Sequence, residues 1–312
     1  MPKLDIFQPA QAFSSEPPPF SEFGFRFLAE GDSWFSIGTL NPVANSNLLF
    51  EMVFLRSACA VNCAKPGDTL KRMSQINTDP NFVDLLCGHR QRIWDGLLLS
   101  CGGNDLIEAV GSPALDDAGQ PVPRHLRLLL TPDEWGPAEQ GASRFLSDEG
   151  WDTFCGYLRA NFEHLLGLRD QGLSRGAPVF MHGYAVPTPR PAGAGFGMGP
   201  WLLPSLQKFQ IPSADGPALA KELLTRLGTL LGEIAEDPAR FPNVHFFNSL
   251  TVPVDAAEPN TTGQSGDWIN EIHLTRTGYR KVGVTWASQI EGTLDGDTPE
   301  PQAKAQRKKV EA

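Results

Sequence analysis

The residues whose types and spacing could support chemistry fall in four short polar segments. The first is Gly31-Asp32-Ser33, where a strand-like run ends in a serine and a further apolar run begins. A serine at the C-terminal end of a parallel strand lies on the face where open α/β sheets place their ligands. The N-terminus of a following helix also favours negative charge developing there. The same tripeptide is an ordinary turn, in which Asp or Ser does no more than cap a helix. The second segment is Asn62-Cys63-Ala64-Lys65-Pro66-Gly67-Asp68-Thr69, whose Gly67 can present a bare backbone N–H. In the third, Ser100-Cys101-Gly102-Gly103-Asn104-Asp105, the amide of Asn104 emerges from a glycine turn. The fourth, Asp267-Trp268-Ile269-Asn270-Glu271-Ile272-His273-Leu274-Thr275, sets His273 just before the last helical pattern. Taken singly, Gly67 serves a turn, Asn104 caps a helix and His273 packs in the core. Taken together, in loops of one kind and in this order, they point to one shared site.

The elements that must position these segments are short apolar runs alternating with longer helical patterns. Strands are expected at 24–29, 58–62, 96–100, 178–182 and 244–248, each brief and bounded by turn residues, as buried parallel strands are. Helical segments are expected at 45–55, 69–75, 151–169, 218–235 and 275–294. The last three carry apolar residues at three- and four-residue spacing. Strand and helix alternating in this way imply a mainly parallel, five-stranded sheet covered on both faces. Residues 1–22, with Pro17, Pro18 and Pro19, read as an extended lead-in arm; 23–294 read as one catalytic domain, and 295–312 as a disordered tail. Two Pro- and Gly-rich excursions, 113–150 and 187–212, interrupt the rhythm. The second reads equally well as a lid and as a surface excursion.

The four segments resemble the sequence blocks of the SGNH (GDSL-type) hydrolase superfamily. Gly31-Asp32-Ser33 matches the first, Gly67 the second, Gly102-Gly103-Asn104-Asp105 the third and His273 the fourth, so the likeness spans about 27–283. It implies a flavodoxin-like three-layer α/β/α sandwich that hydrolyses esters through an acyl-serine. Ser33 would be the nucleophile, and His273 would take its proton and later deliver one to the leaving group. The backbone N–H groups of Ser33 and Gly67, with the Asn104 amide, would form the oxyanion hole. No metal or organic cofactor is implied. The partner expected is a small-molecule ester.

One position departs from the family pattern. The last block normally has Asp three residues before His, and here that residue is Asn270. Asparagine can accept from an imidazole N–H but brings no negative charge, and its amide can flip. The orienting group is therefore left open between Asn270, Asp267 and a backbone carbonyl. His182, Tyr184 and Trp201 are candidates to line the acyl or alcohol pocket, with ordinary packing as the alternative. Trp34 would shield the site or stack on a ring, or simply fill the core.

Other motifs carry less. Gly172-Leu173-Ser174-Arg175-Gly176 has the GxSxG pattern but lies after a helix and before a strand, the reverse of a nucleophile elbow. There is no phosphate loop and no HExxH zinc helix, and the alternating glycines of 193–199 do not form GxGxxG. The five cysteines lack metal-ligand spacing and read as buried free thiols. With 26 basic and 36 acidic residues the net charge is −10 and no basic stripe shows, which argues against nucleic acid as a partner. No run of about 18 apolar residues or secretory leader is evident, so a soluble, cytoplasmic protein without a membrane span is expected. Readings kept beside the simple esterase are an O-acetyl carbohydrate esterase, a lysophospholipase or a thioesterase of the same fold. A non-catalytic binding module built on a hydrolase-like fold is the reading from another class.

Overall fold

The computed structural model describes residues 1–37, 46–195 and 197–296. Six strands form one sheet: β1 (Asp5–Phe7), β2 (Phe25–Gly31), β3 (Ala58–Asn62), β4 (Gly96–Ser100), β5 (Val179–His182) and β6 (Val244–Phe247). Their order is β1-β3-β2-β4-β5-β6, and every pairing is parallel. Without the edge strand this is the flavodoxin-like order, with β2 at the point where the winding reverses.

The sheet has one strand more than the five expected. The addition is β1, within the segment read as an extended arm, where Asp5, Ile6 and Phe7 pair with Cys59, Ala60 and Val61. Three residues are too few to show a period, which is why this strand leaves no mark in the hydrophobic pattern.

The helices are α1 (Pro9–Ala12), α2 (Ser33–Ser36), α3 (Leu70–Met73), α4 (Pro80–Cys87), α5 (Gly103–Gly111), α6 (Asp148–Gln171), α7 (Leu203–Lys208), α8 (Gly216–Ala235) and α9 (Arg276–Leu294). The expected helix over 45–55 reduces to one 3-10 turn at Leu49–Glu51, and residue 45 lies outside the described residues. The tail over 297–312 also lies outside them. The long helices start where capping chemistry permits. Ser147 accepts from the Gly150 N–H at the head of α6, and Thr275 accepts from the Gly278 N–H at the head of α9.

Strands β3, β4 and β5 are buried at every position, so helices cover both faces of the sheet in a three-layer α/β/α sandwich. Leu97, Leu98 and Leu99 of β4 and Phe27, Leu28 and Ala29 of β2 are fully buried at its centre. All five cysteines are free; Cys59, Cys63 and Cys101 are buried as expected, whereas Cys87 and Cys155 are only half-buried. Among the described residues no helix is long and apolar enough to cross a membrane.

Candidate active site

The C-terminal ends of the central strands are tied together by one carboxylate. Asp32 follows β2 and is the N-cap of α2, accepting from the Trp34 N–H at 2.9 Å. It also accepts from Ser100 Oγ at the end of β4 (2.7 Å) and from the Tyr184 hydroxyl beyond β5 (2.7 Å). Burial pushes its carboxyl up to about 6 against the pull of these three donors. The capping role of the Gly-Asp-Ser turn is therefore real, and it coexists with a placement that sets Ser33 at the first turn of α2. Gly103 admits Tyr184 to this network, because a Cβ there would stand 2.7 Å from the tyrosine ring.

Ser33 and His273 meet across the chain. His273 Nε2 lies 2.7 Å from Ser33 Oγ, and both residues are buried. The other ring nitrogen, Nδ1, lies 3.0 Å from Asn270 Oδ1. That oxygen also accepts the backbone N–H groups of Ile272 (3.1 Å) and His273 (2.9 Å). Backbone N–H groups can only donate, so they fix which end of the amide faces the ring and remove the flip ambiguity. Nδ1 must then carry the proton and donate it to Oδ1, which leaves the Nε2 lone pair to accept from the Ser33 hydroxyl. Burial without a charged partner pulls the imidazole down from its ordinary value to about 3.

Asp267 does not take part. Its Oδ2 receives Lys281 Nζ at 2.6 Å and the Asp255 N–H at 2.8 Å, so this carboxylate anchors α9 to the loop before it. Of the three acceptors left open, Asn270, Asp267 and a backbone carbonyl, the one that His273 Nδ1 faces is Asn270.

The expected anion donors are arranged as follows. Gly67 has φ +82°, a left-handed conformation that suits glycine. Among the described residues neither the Ser33 N–H nor the Gly67 N–H donates to any protein group. Asn104 Nδ2 donates to Asp68 O at 3.1 Å, which joins the third segment to the second, and Asp105 reinforces the joint by accepting from the Leu70 N–H. Ser33 and Asn104 line a narrow cavity of about 40 Å³ with Trp34, Tyr184, Leu106, Ile107, Leu202 and Leu224; Gly67 is outside that lining.

Two of the expected pocket residues lie elsewhere. His182 is fully buried behind Trp34, with the two rings stacked at 5.6 Å and the Trp286 ring edge-on at 5.0 Å. It is a core residue, and burial lowers its imidazole to about 4. Trp201 does not line the cavity but packs edge-on against the His273 ring at 5.2 Å, contributing to its removal from water. Trp34 and Tyr184 do line the cavity, as expected, and Trp34 Nε1 donates to Ile272 O in the histidine loop. Ser174 of the GxSxG pattern is buried, donating to Arg92 O and accepting from the Trp94 N–H, a purely structural role.

Sequence reading missed the clasp that holds the 187–212 excursion. Glu271, buried between Asn270 and His273 in sequence, accepts the N–H groups of Arg190, Trp201, Leu202 and Leu203. Its own N–H donates to Ala192 O. The buried Arg190 guanidinium reaches Thr261 O, Gly263 O and Asn270 O. The excursion is thus fastened to the histidine loop and supplies Leu202 to the cavity wall.

No protein-family model and no curated protein matches the sequence. Among solved structures, the chain is similar to an extracellular lipase from Streptomyces rimosus, at 13% identity over 85% of this chain and 99% of that one, with a TM-score of 0.45. It is also similar to a phospholipase A1 from Streptomyces albidoflavus (12% identity, 85% and 98% covered, TM-score 0.43). A carbohydrate acetylesterase from Sinorhizobium meliloti gives 14% identity, 86% and 99% covered, and a TM-score of 0.38.

Proposed function

We propose that the chain is an SGNH-type serine esterase that hydrolyses carboxylic esters with short acyl groups through an acyl-serine. The observation that carries this reading is the Ser33–His273–Asn270 relay, in which one hydroxyl faces the only ring nitrogen free to accept its proton. As Ser33 Oγ attacks the ester carbonyl carbon, its proton passes to His273 Nε2. Negative charge then appears on the carbonyl oxygen, where the N–H groups of Ser33 and Gly67 and the second N–H of the Asn104 amide are the donors at hand. Collapse of the tetrahedral intermediate expels the alcohol, which takes the proton from Nε2. Water repeats the sequence on the acyl-serine and releases the acid.

The short-acyl preference rests on the cavity beside Ser33. Its volume of about 40 Å³ and its wall of Leu106, Ile107, Leu202 and Leu224 suit a methyl- or ethyl-sized group. Acetyl esters, including those borne on a carbohydrate, meet this requirement better than long-chain lipids.

The test is labelling of folded protein with a fluorophosphonate, read by intact mass and peptide mapping, beside turnover of p-nitrophenyl acetate. An adduct on Ser33, and turnover that disappears in Ser33→Ala, are the expected results. A protein that neither labels nor turns over acetyl esters would be a binding module instead.

A further inference from the structure

Three carboxylates converge behind the Gly67 turn. Glu30 comes from the end of β2, Asp68 from the turn itself, and Asp79 from the N-cap of α4. Each offers one oxygen, and the three oxygens lie within 4.8 Å of one another. Glu30 and Asp79 are completely buried. Glu30 Oε1 accepts the Gly31 N–H and Asp79 Oδ1 accepts the Phe82 N–H. The second oxygen of Glu30 and Asp68 Oδ2 are buried and receive no hydrogen bond, while the second oxygen of Asp79 faces only Lys65.

The positive charge facing this group is small. Lys65 Nζ pairs with Asp79 Oδ2 at 2.6 Å and donates also to Thr78 O, and its side chain is 39% exposed. Arg72 lies close by and is committed to Gly67 O and Glu108. One half-exposed ammonium, paired with Asp79, leaves the inner oxygens of Glu30 and Asp68 without a donor, Glu30 and Asp79 being sealed from water and Asp68 standing at the rim. Leaving buried carboxylate oxygens unmet is costly, so a further cation or shared protons must supply what the protein groups do not.

We infer that Glu30, Asp68 and Asp79 bind a divalent cation of the calcium type that locks the Gly67 turn onto the end of β2. Calcium accepts several carboxylate oxygens at about 2.3–2.6 Å in flexible geometry, whereas magnesium dehydrates reluctantly and keeps several waters in a near-ideal octahedron. An all-carboxylate donor set suits hard cations and not zinc or copper. The placement gives the ion a structural task. Glu30 is three residues before Ser33, and Asp68 directly follows Gly67, so a cation between them would fix the spacing of the two free N–H groups. The site itself stands whether or not the esterase reading holds. The ligands come from three separated segments with no motif spacing, which explains why no metal was expected from the sequence.

Full-length protein treated with EDTA and desalted should be titrated calorimetrically with CaCl2, MgCl2 and MnCl2 at pH 7.5. Thermal unfolding should be followed in parallel with and without 5 mM CaCl2 at matched ionic strength. Saturable binding of about one Ca²⁺ per chain and a rise in Tm are expected, with Mg²⁺ weaker. Glu30→Gln and Asp79→Asn should abolish both effects, and Asp68→Asn, at the rim and least able to harm folding, should weaken binding tenfold or more. Absence of saturable Ca²⁺ binding together with an unmoved Tm in the wild-type chain overturns the inference and leaves shared protons as the answer. Binding that survives unchanged in Asp68→Asn overturns it equally, by placing the cation elsewhere. Neither readout depends on catalytic turnover.

Discussion

Replacing Asn270 by Asp tests the relay directly. In the wild type, Asn270 Oδ1 already holds the His273 tautomer through Nδ1, so the substitution adds charge without altering the hydrogen-bonding pattern. A carboxylate there would stand roughly 4 Å from the centre of the imidazolium. At an effective dielectric of about 20 this is worth about 4 kcal/mol, or about 3 pH units for the ring. Burying the new carboxylate takes back part of it, although the Ile272 and His273 N–H groups help to hold it. The acid limb of kcat/KM should therefore move up by about 2–3 units, from near 3 toward the ordinary histidine range. If about half the proton has moved at the transition state, some 2 kcal/mol of the interaction is felt there, or roughly thirtyfold in kcat on the alkaline plateau. The assay is a pH series with p-nitrophenyl acetate, checked by an NMR titration of the imidazole. A wild-type enzyme that already loses activity at pH 6.5, or an Asn270→Asp variant whose limb coincides with the wild type, would refute the reasoning.

Asp267→Ala should leave the pH profile of turnover where it is, since Asp267 serves Lys281 and Asp255 and not the imidazole; chemical denaturation should show a loss of about 1–3 kcal/mol. Leu224→Ala should enlarge the cavity beside Ser33 and raise the ratio of hexanoate to acetate turnover by tenfold or more, measured on a p-nitrophenyl ester series. His182→Phe should reduce acid sensitivity. The unfolded chain takes a proton on this histidine below about 6.5, while the folded one refuses it down to about 4, so stability falls as pH drops through that window. Removing the group should flatten urea-unfolding free energy between those two pH values.

Much of this arrangement was legible because the informative residues sit where strands end. Strands β3 and β4 appear in the sequence at their observed bounds, since five consecutive buried residues between turn residues leave a clear mark. Ser33 and Asn104 stand out as polar side chains just beyond β2 and β4, and His273 as the polar residue just before α9. What stayed hidden depends on contacts between distant segments. The choice between Asp267 and Asn270 turns on Lys281, fourteen residues beyond Asp267, and on two backbone N–H groups that no sequence displays. His182 ends β5 on the expected side, but the stacked Trp34 ring lies over it, and stacking order is a property of packing. Helix α5 hides behind Gly102-Gly103, which looks like a turn and is also the start of a helix. The Glu271–Arg190 clasp joins positions about eighty residues apart and has no local signature.

That clasp makes the excursion part of the wall beside the serine. With four N–H groups of the excursion gripped by a side chain beside the histidine, the two loops form a single rigid bank on one side of the groove. Asn104 and the half-buried Ile107 of α5 line the same cavity with Leu224 of α8, and α5 is in turn tied to the Gly67 turn through Asn104 and Asp105.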